Sequence, residues 1–438
     1  MKRAAAHSSP AAALSERFAA AISALAPPHP WAIAVSGGPD SLCLMHLASA
    51  FCADRNLPAP HVVTFDHRLR PASAEEAQQV SRWAEAIGLR HTILTHEGPV
   101  PQSGVQEFAR RARYQAMGRF CAARGIASLM AAHHLDDLFE TVAMRAARGA
   151  PLANDGMAMM ARLPDVAGVE VMLVRPLLFE PKAGLVAHVQ ACGQAYLADP
   201  SNCDPRFERA RLRLKGGLNR PPLSDILAAR RARAALERAT AALFDRHVRV
   251  HEAGFYLCPR DVLLSGEAPH LRLLRELLAR AAGADHLPSA SAVMALQAHV
   301  AESGSASLHG ALVRQASRAL AGADHLMICV ETPRLPVRPV TAIGRVVWQG
   351  RFDIEIAPEA GRADIVPLGM ARAARLRREN KALRDIPALA LAMTPALVRG
   401  GELLAAPFAG LPGPMTARFR SRPWFAFAEH PQSPFGGA

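Results

Sequence analysis

The first half of the chain alternates short apolar runs with longer stretches that have helical spacing. Four apolar runs bounded by turn-forming residues predict strands at residues 31–35, 61–65, 90–95 and 128–132. Between them, the pairs Ser73 with Glu76 and Ser103 with Gln106 have the spacing of capping boxes that begin helices. Alternating strands and helices predict a parallel α/β sheet.

The second half has a different pattern. Residues 223–249, 270–282 and 290–302 have helical spacing, and the first of these stretches is rich in alanine and arginine. A proline-rich segment at 333–339 predicts a linker, and beyond it short strands at 346–348 and 352–356 precede a basic helix at 372–378. We therefore predict three domains: an α/β domain at 25–215, a helical middle domain at 216–332 and a small α+β domain at 340–430.

Composition narrows the class of protein. The chain of 438 residues has a net charge of +13 and an isoelectric point near 10.3, which favours a polyanionic partner such as nucleic acid. Genomic bias explains why only four of the basic residues are lysines, but not the excess over acids. Seven scattered cysteines without a Cys-x-x-Cys pair predict reduced cytoplasmic thiols. No stretch has membrane-spanning length, and the N-terminus lacks a secretory pattern.

A glycine loop follows the first predicted strand. It consists of Ser36, Gly37, Gly38, Pro39, Asp40 and Ser41. Two glycines before a helix allow backbone N–H groups to approach an oxyanion, which the helix dipole also attracts. Gly-Gly alone is typical of an ordinary strand-to-helix turn, but the whole motif after a strand favours a pyrophosphate site. The lysine of the common nucleotide loop is missing, so backbone, hydroxyls and a metal are expected to hold the phosphates.

A second constellation follows the fourth strand. It contains His133, His134, Asp136, Asp137 and Glu140 at the start of a predicted helix. Acids in a first helical turn complement the dipole, so a capped, solvated helix end is one interpretation. The other is a carboxylate cluster that holds Mg²⁺, orients an ammonium group or accepts its proton. Adjacent histidines point apart, which argues against zinc.

These stretches converge on one edge of the predicted sheet. Ligands bind beyond the carboxyl ends of parallel strands, where Gly37, Asp66 and His133 all lie. Together with further motifs in the same order, they resemble the bacterial tRNA(Ile)-lysidine synthetase family of the PP-loop ATP pyrophosphatase group. The further motifs are Asp66-His67-x-Leu69-Arg70 with Ser73 and Glu76, Glu107-x-Ala109-Arg110-x-x-Arg113-Tyr114, Arg145-x-x-Arg148-Gly149, Arg175-Pro176-Leu177-Leu178 with Lys182, and Asp199-Pro200-Ser201-Asn202-x-Asp204.

The resemblance covers about residues 30–215 and implies a fold, a reaction and a set of residues. The fold is the adenine nucleotide alpha hydrolase-like PP-loop domain. ATP and Mg²⁺ would activate the wobble cytidine of a CAU-anticodon tRNA(Ile), and free L-lysine would then displace AMP. ATP would contact the glycine loop (residues 36–41), Ala34, Asp66 and His67. The catalytic residues would be Asp40, His133, Asp136, Asp137, Glu140 and Arg113, and Asp40 and Asp137 would hold the metal.

Several arginines are expected to bind the tRNA. They are Arg110, Arg145, Arg148, Arg209, Arg213, Arg375 and Arg378. Each one also has the simpler interpretation of a solvated helix face. The family pattern Arg-Asn-x-x-Arg is replaced by Arg209-Ala210-Arg211-Leu212-Arg213, so one polar contact is in doubt.

Three alternatives remain at this point. A tRNA 2-thiocytidine synthetase shares the loop and the His-His-x-Asp-Asp stretch, but its chemistry requires cysteine pairs. An amide-forming PP-loop enzyme would not require the basic surface. A catalytically silent RNA-binding protein is disfavoured by the intact acidic residues. The oligomeric state is open, and a homodimer is one assembly compatible with the chain.

Overall fold

A computed structural model describes residues 10–68, 72–96, 98, 101, 105–147, 156–163, 171–197, 221–284, 286–321, 324–332 and 337–421. The chain divides into two compact units, with the boundary between Ala234 and Ala235. None of the helices in these ranges is long and apolar enough to cross a membrane.

Unit 1 is an α/β unit. Its described strands are β1 (Trp31–Ala34), β2 (His61–Asp66), β3 (His91–Thr95), β4 (Ser128–Met130), β5 (Met160–Arg162) and β6 (Met172–Val174). Its described helices are α1 (Pro10–Leu25), α2 (Pro39–Asp54), α3 (Ser73–Ala86), α4 (Val105–Ala123), α5 (Leu135–Ala147) and α6 (Lys182–Ala191). Helix α7 (Leu223–His247) contains the boundary between the units.

One sheet organises unit 1, with strand order β3-β2-β1-β4-β6-β5. Neighbouring strands are parallel except β5, which runs antiparallel to β6. The order runs outward from β1 in both directions, and such a reversal opens a crevice beyond the carboxyl ends of the strands. Ile33 in β1 and Leu129 in β4 are fully buried, as expected for central strands covered on both faces.

The predicted elements of this half are confirmed, with one exception. All four predicted strands are present, and α3 begins at Ser73 as the sequence indicates. However, the predicted capping box is wrong, because the residue that caps α3 is Ala72, whose side chain cannot accept a capping hydrogen bond, and Ser73 lies inside the helix. Ser73 Oγ instead donates a hydrogen bond to Asp66 Oδ1 at 2.7 Å. The second predicted box begins at Ser103, which lies outside the described residues.

Unit 2 contains more sheet than the sequence predicts. After β7 (Arg249–His251), its strands are β8 (Phe255–Pro259), β9 (Ser305–Leu308), β10 (Ala311–Gln315), β11 (His325–Val330), β12 (Val340–Ala342), β13 (Gly344–Trp348), β14 (Phe352–Ile356), β15 (Ala363–Pro367), β16 (Pro395–Arg399), β17 (Glu402–Ala405) and β18 (Met415–Phe419). Its helices are α8 (Arg260–Leu264), α9 (Ala268–Ala282), α10 (Ala290–Ser303), α11 (Arg318–Ala321), α12 (Met370–Glu379) and α13 (Ala388–Ala392), with 3₁₀ turns at Pro358–Ala360, Lys381–Leu383 and Pro407–Ala409.

Three sheets share one core in unit 2. Their strand orders are β7-β8-β11-β10-β9, β12-β15-β16-β17 and β13-β14-β18. The predicted helices of the middle part are present as α9 and α10, and the five-stranded sheet beside them is an addition that the helical pattern does not predict. A single buried cluster extends from Ala253 to Phe419 and therefore includes both sides of the proline-rich segment. The division into a middle and a C-terminal domain stays a prediction.

A buried arginine joins distant segments of unit 2. Arg351 is the last residue of the tight turn between β13 and β14 and is 1% exposed. It donates hydrogen bonds to the carbonyls of Met393 at 3.1 Å and Gly254 at 3.3 Å. Burial lowers the pKa of its guanidinium to about 10. Nearby, the Tyr256 hydroxyl donates to the Ser421 carbonyl at 2.9 Å. The hydrogen bonds of Arg351 and Tyr256 thus connect segments of unit 2 that are far apart in the sequence.

Gly283 has no room for a side chain. It ends α9 with a φ of +70°, and a Cβ there would overlap the carbonyl oxygen of Gln349 in the β13–β14 turn. Gly304 ends α10 with a similar φ of +76°, but nothing lies within 4 Å of its Cβ position. The two glycines thus share a backbone conformation and differ only in surroundings.

We predict that Gly283→Ala destabilises unit 2 far more than Gly304→Ala. Positive φ alone costs about 1–2 kcal/mol, and overpacking adds about 1–3 kcal/mol at Gly283 only. Chemical denaturation followed by far-UV circular dichroism would measure both losses. Equal losses for the two variants would contradict the predicted overlap with Gln349.

Candidate active site

The glycine loop connects β1 to α2 and adopts a backbone conformation that requires glycine. Gly37 has a φ of +85°, and a Cβ there would lie 2.5 Å from Leu197 Cδ1. Gly38 caps α2 in an extended conformation, and Pro39 occupies the first helical position. The turn therefore excludes a side chain at position 37 and places backbone N–H groups at the start of a helix.

Ser41 stabilises the loop through hydrogen bonds to other loop residues. Its Oγ donates to the carbonyl of Gly38 at 2.9 Å and accepts the backbone N–H of Ser36 at 3.2 Å. The carbonyl of Gly37 accepts the N–H of Leu197 at 2.9 Å, which ties the turn to the segment after α6. The loop thus holds its shape through contacts of its own chain.

Asp40 is the acidic group of the loop, and two basic side chains face it. His134 Nε2 lies 3.5 Å and Lys182 Nζ lies 3.7 Å from the same oxygen, Oδ2. The other oxygen, Oδ1, is buried without a hydrogen-bond partner among the described residues. Burial opposes ionisation of Asp40, but the hydrogen bond and charge of His134, with Lys182, outweigh it and lower the pKa of the carboxyl.

His134 is the buried centre of this arrangement. It is 2% exposed, and its Nε2 also lies 3.6 Å from Asp137 Oδ2. Burial alone would lower the pKa of the imidazole, but Asp40 and Asp137 outweigh it and raise the pKa. Nδ1 accepts the N–H of Asp136 at 3.3 Å, so a neutral ring carries its proton on Nε2, between the two carboxylates. His134 thereby joins the loop to the start of α5.

The acids of α5 differ in their access to solvent. The side chain of Asp136 is 30% exposed and that of Asp137 is 14% exposed, whereas Glu140 is 1% exposed. Asp137 Oδ2 also accepts the backbone N–H of His134 at 3.1 Å, which fixes its orientation. A small ligand therefore reaches Asp136 and Asp137 more readily than Glu140.

The turn after β2 contains Asp66 and His67. Asp66 is 6% exposed, and its Oδ1 accepts hydrogen bonds from the N–H of Arg68 at 2.8 Å and from Ser73 at 2.7 Å. Burial, with Arg113 nearby, lowers the pKa of His67 to about 4, so the ring is neutral at physiological pH. Asp66 thus shapes the turn that presents a neutral His67, while Ala34 at the end of β1 is partly exposed.

Two arginines of α4 lie against one tyrosine. The guanidinium carbons of Arg110 and Arg113 lie 5.1 and 5.0 Å from the centre of the Tyr114 ring. Burial opposes ionisation of Tyr114, but the positive charges of Arg113, Arg110 and Arg175 outweigh it and lower the pKa of the phenol. Arg113 Nε is buried without a hydrogen-bond partner among the described residues. A local excess of positive charge with an unused donor favours an anionic ligand.

Arg175 links His133 to a neighbouring segment. It is 6% exposed, and it donates to His133 Nδ1 at 3.2 Å and to the carbonyl of Ala158 at 2.6 Å. Burial is the main reason that the pKa of its guanidinium is lowered to about 10. Because Nδ1 of His133 is an acceptor here, the proton of the neutral ring lies on Nε2.

Three consecutive carbonyls are held by arginines from different elements. Arg145 of α5 donates to Gly156 at 2.6 Å, Arg230 of α7 donates to Met157, and Arg175 donates to Ala158. Arg145, predicted to contact tRNA, therefore also has a structural contact within unit 1. Its role in RNA binding stays a prediction.

The remaining predicted tRNA contacts divide between unit 2 and the part of the chain that is not described. Arg375 and Arg378 lie exposed on α12. Arg148, Arg209 and Arg213 lie outside the described residues, as does the side chain of Glu107.

The structure adds three residues to the predicted set. His134, Arg175 and Lys182 stand in the motifs, but the sequence pattern assigns none of them a role. The order of the motif did not reveal which of two adjacent histidines is buried. Lys182 is one of only four lysines in a chain whose basic residues are otherwise arginines, and this scarcity is the signal that the sequence offers for it.

The residues at the loop suit Mg²⁺. Oxygens of Asp40 and Asp137 both face His134, and the second oxygen of Asp40 is buried without a partner among the described residues. Within the described ranges, no three acidic, histidine or cysteine side chains are grouped to hold a metal. Mg²⁺ typically binds one or two carboxylates together with substrate phosphates, so two carboxylates fit this ion.

Together, the sheet and the glycine loop define a PP-loop nucleotide-binding domain, and the PP-loop domain family matches residues 11–216. The tRNA(Ile)-lysidine synthase of Ruegeria pomeroyi is 32% identical over 404 residues, 90% of this chain and 92% of that protein. That of Methylobacterium nodulans is 39% identical over 267 residues, 59% and 76% of the two chains. That of Rhodopseudomonas palustris is 47% identical over 182 residues, 41% of this chain and about half, 51%, of that protein. The chain belongs to the tRNA(Ile)-lysidine synthase family.

We predict that His134→Leu raises the KM for ATP, because Asp40 and Asp137 lose the donor between them and repel each other and the phosphates. Two carboxylates without a shared donor also raise each other's pKa. We expect a loss of about tenfold to hundredfold in kcat/KM, which corresponds to one charge-assisted hydrogen bond.

The measurement is ATP-dependent pyrophosphate release at several pH values. His134→Gln retains an N–H donor and should keep most of the activity. If the leucine and glutamine variants are equally impaired at unchanged stability, the donor between the two acids is not what matters.

Proposed function

We infer that this protein is a ligase that converts the wobble cytidine of a CAU-anticodon tRNA(Ile) to lysidine, with ATP and L-lysine as co-substrates. The observation that carries this inference is the junction of the glycine loop with the α5 acids through His134, within a chain of the lysidine synthase family. One site thereby combines a place for phosphates with carboxylates that could bind the ammonium form of an amine and accept its proton before attack.

In the first step, O2 of the cytidine forms a bond to the α-phosphorus of ATP. The bond between that phosphorus and the bridging oxygen breaks, and its electron pair leaves with pyrophosphate. The backbone N–H groups at the start of α2 would hold the leaving pyrophosphate. Arg113, whose Nε donor has no partner among the described residues, would offset charge on the α-phosphate.

His67 and His133 would act as neutral groups in this step. His67 has a pKa lowered to about 4 and lies after β2, where ATP would place its adenosine next to Ala34. His133, with its proton on Nε2, would donate a hydrogen bond to the nucleotide. Mg²⁺, held by Asp40 and Asp137, would supply positive charge for the phosphates.

In the second step, the ε-amine of lysine forms a bond to C2 of the cytidine, and the bond from C2 to the adenylated oxygen breaks to release AMP. The amine must lose a proton before or during the attack. Asp136 and Asp137, the more exposed acids, would orient the ammonium and accept that proton. Glu140 would add negative charge from its buried position on the same helix.

The basic helix α12 would bind the tRNA backbone. Arg375 and Arg378 are exposed on it. Arg375 forms a loose ion pair with Glu379, which is equally exposed, at a distance of 3.6 Å. Exposed pairs of this kind contribute little, so phosphates can replace the glutamate. A cytoplasmic location would follow from these substrates, and a homodimer is compatible with this function.

The direct test is incorporation of labelled lysine into an unmodified CAU-anticodon tRNA(Ile) transcript with ATP and magnesium. We expect label in the tRNA, one AMP per lysine, and loss of both with Asp40→Ala, which removes the acid of the loop. Asp40→Ala should still bind tRNA. Sulfur transfer to cytidine instead of lysine would move the assignment to a thiolation enzyme.

We further predict that Arg375→Ala with Arg378→Ala weakens tRNA binding and reduces the salt dependence of the affinity by about two phosphate contacts. Filter binding at several salt concentrations would measure the slope. Glu379→Gln removes a charge from the same helix but keeps both arginines, and its slope should stay unchanged. A double variant with the wild-type slope would mean that these arginines only solvate α12.

A further inference from the structure

Lys182 supplies a cation to a loop whose own sequence has none. The common nucleotide loop places a lysine directly after its second glycine, whereas this loop continues with Pro39 and Asp40. Lys182 comes from α6, far along the chain, and its Nζ lies 3.7 Å from Asp40 Oδ2. The fold therefore brings to the loop the residue type that the motif lacks.

The backbone that carries Lys182 is anchored on two sides. Glu180, two residues earlier, accepts hydrogen bonds from Arg17 of α1 at 2.7 and 2.9 Å. The carbonyl of Glu180 accepts the N–H of Leu135, the first residue of α5, at 3.0 Å. These hydrogen bonds hold the backbone next to Lys182 close to the start of α5, and the lysine side chain has rotatable bonds of its own.

The pair that Lys182 makes is one that a ligand can exchange. Its side chain is 41% exposed, and the separation of 3.7 Å lies near the limit of an ion pair. His134 already faces the same oxygen of Asp40 at 3.5 Å, so Asp40 keeps a donor when the lysine leaves. A half-exposed pair contributes little, whereas a pyrophosphate group offers several charged oxygens to one ammonium.

We propose that Lys182 is a pyrophosphate-binding residue, whose ammonium can exchange its pair with Asp40 for the β- and γ-phosphate oxygens of ATP. This proposal rests on the proposed function, in which pyrophosphate is the leaving group. As the bond from the α-phosphorus to the bridging oxygen breaks, the electron pair goes to pyrophosphate, and the nearby ammonium offsets the added charge.

Calorimetric titration of the full-length protein with magnesium pyrophosphate tests the proposal, and AMP is the second ligand. Lys182→Met should weaken pyrophosphate binding about tenfold, the lower end of a charge-assisted hydrogen bond, and leave AMP binding within about twofold. Lys182→Arg should retain most of the affinity, because it keeps the charge. Lys381→Met, the same change at the other described lysine, should match the wild type.

The outcomes separate this proposal from the proposed function. If the wild type forms lysidine and Lys182→Met binds pyrophosphate normally, the role of Lys182 is overturned. An equal loss of pyrophosphate and AMP affinity overturns it too, because it would indicate a general disturbance of the site. If the wild type forms no lysidine but Lys182→Met selectively loses pyrophosphate, the function is wrong and the pyrophosphate contact stands.

Discussion

The compensated charge of Asp40 is the interaction on which the site depends. A carboxylate at the entrance of a phosphate loop repels the ligand unless a cation or a proton donor accompanies it. His134, buried beneath the loop, gives Asp40 such a donor and shares it with Asp137. One imidazole therefore connects the first turns of α2 and α5. The anchored start of α6 completes the arrangement, since Glu180 binds both Arg17 and the first turn of α5.

The excess of positive charge does not have one purpose. Some arginines are buried: Arg175 and Arg351 bind backbone carbonyls inside the two units. A planar guanidinium satisfies several carbonyls at once and stays charged, which suits it to segments without regular hydrogen bonding. Others, such as Arg375 and Arg378, extend from a helix surface. Net charge alone therefore overstates the surface that is available to a polyanion.

Much of unit 1 follows from the sequence because its signals are local. Apolar runs between turn residues predict the strands, and a glycine loop after the first of them predicts the carboxyl edge where ligands bind. Contacts between distant segments are not local, so the approach of Lys182 to Asp40 and the burial of His134 emerge only from the fold. In unit 2 the short, irregularly spaced strands of the middle part, such as β7, give too weak a period to be recognised. Ser73 shows a further limit, since a hydroxyl with capping spacing instead serves Asp66.

The hydrogen bond between Tyr256 and Ser421 has a consequence for how the protein is made. Its partners are 165 residues apart, and the core of unit 2 includes Phe255 as well as Phe419. At ordinary rates of translation, about ten seconds or more separate the synthesis of the two. During that time β8 and its neighbouring strands lack the packing of β18. The apolar surface of the incomplete core is then exposed and can form non-native contacts. Contacts of such long range also slow folding. We therefore expect newly synthesised unit 2 to require chaperones for efficient folding.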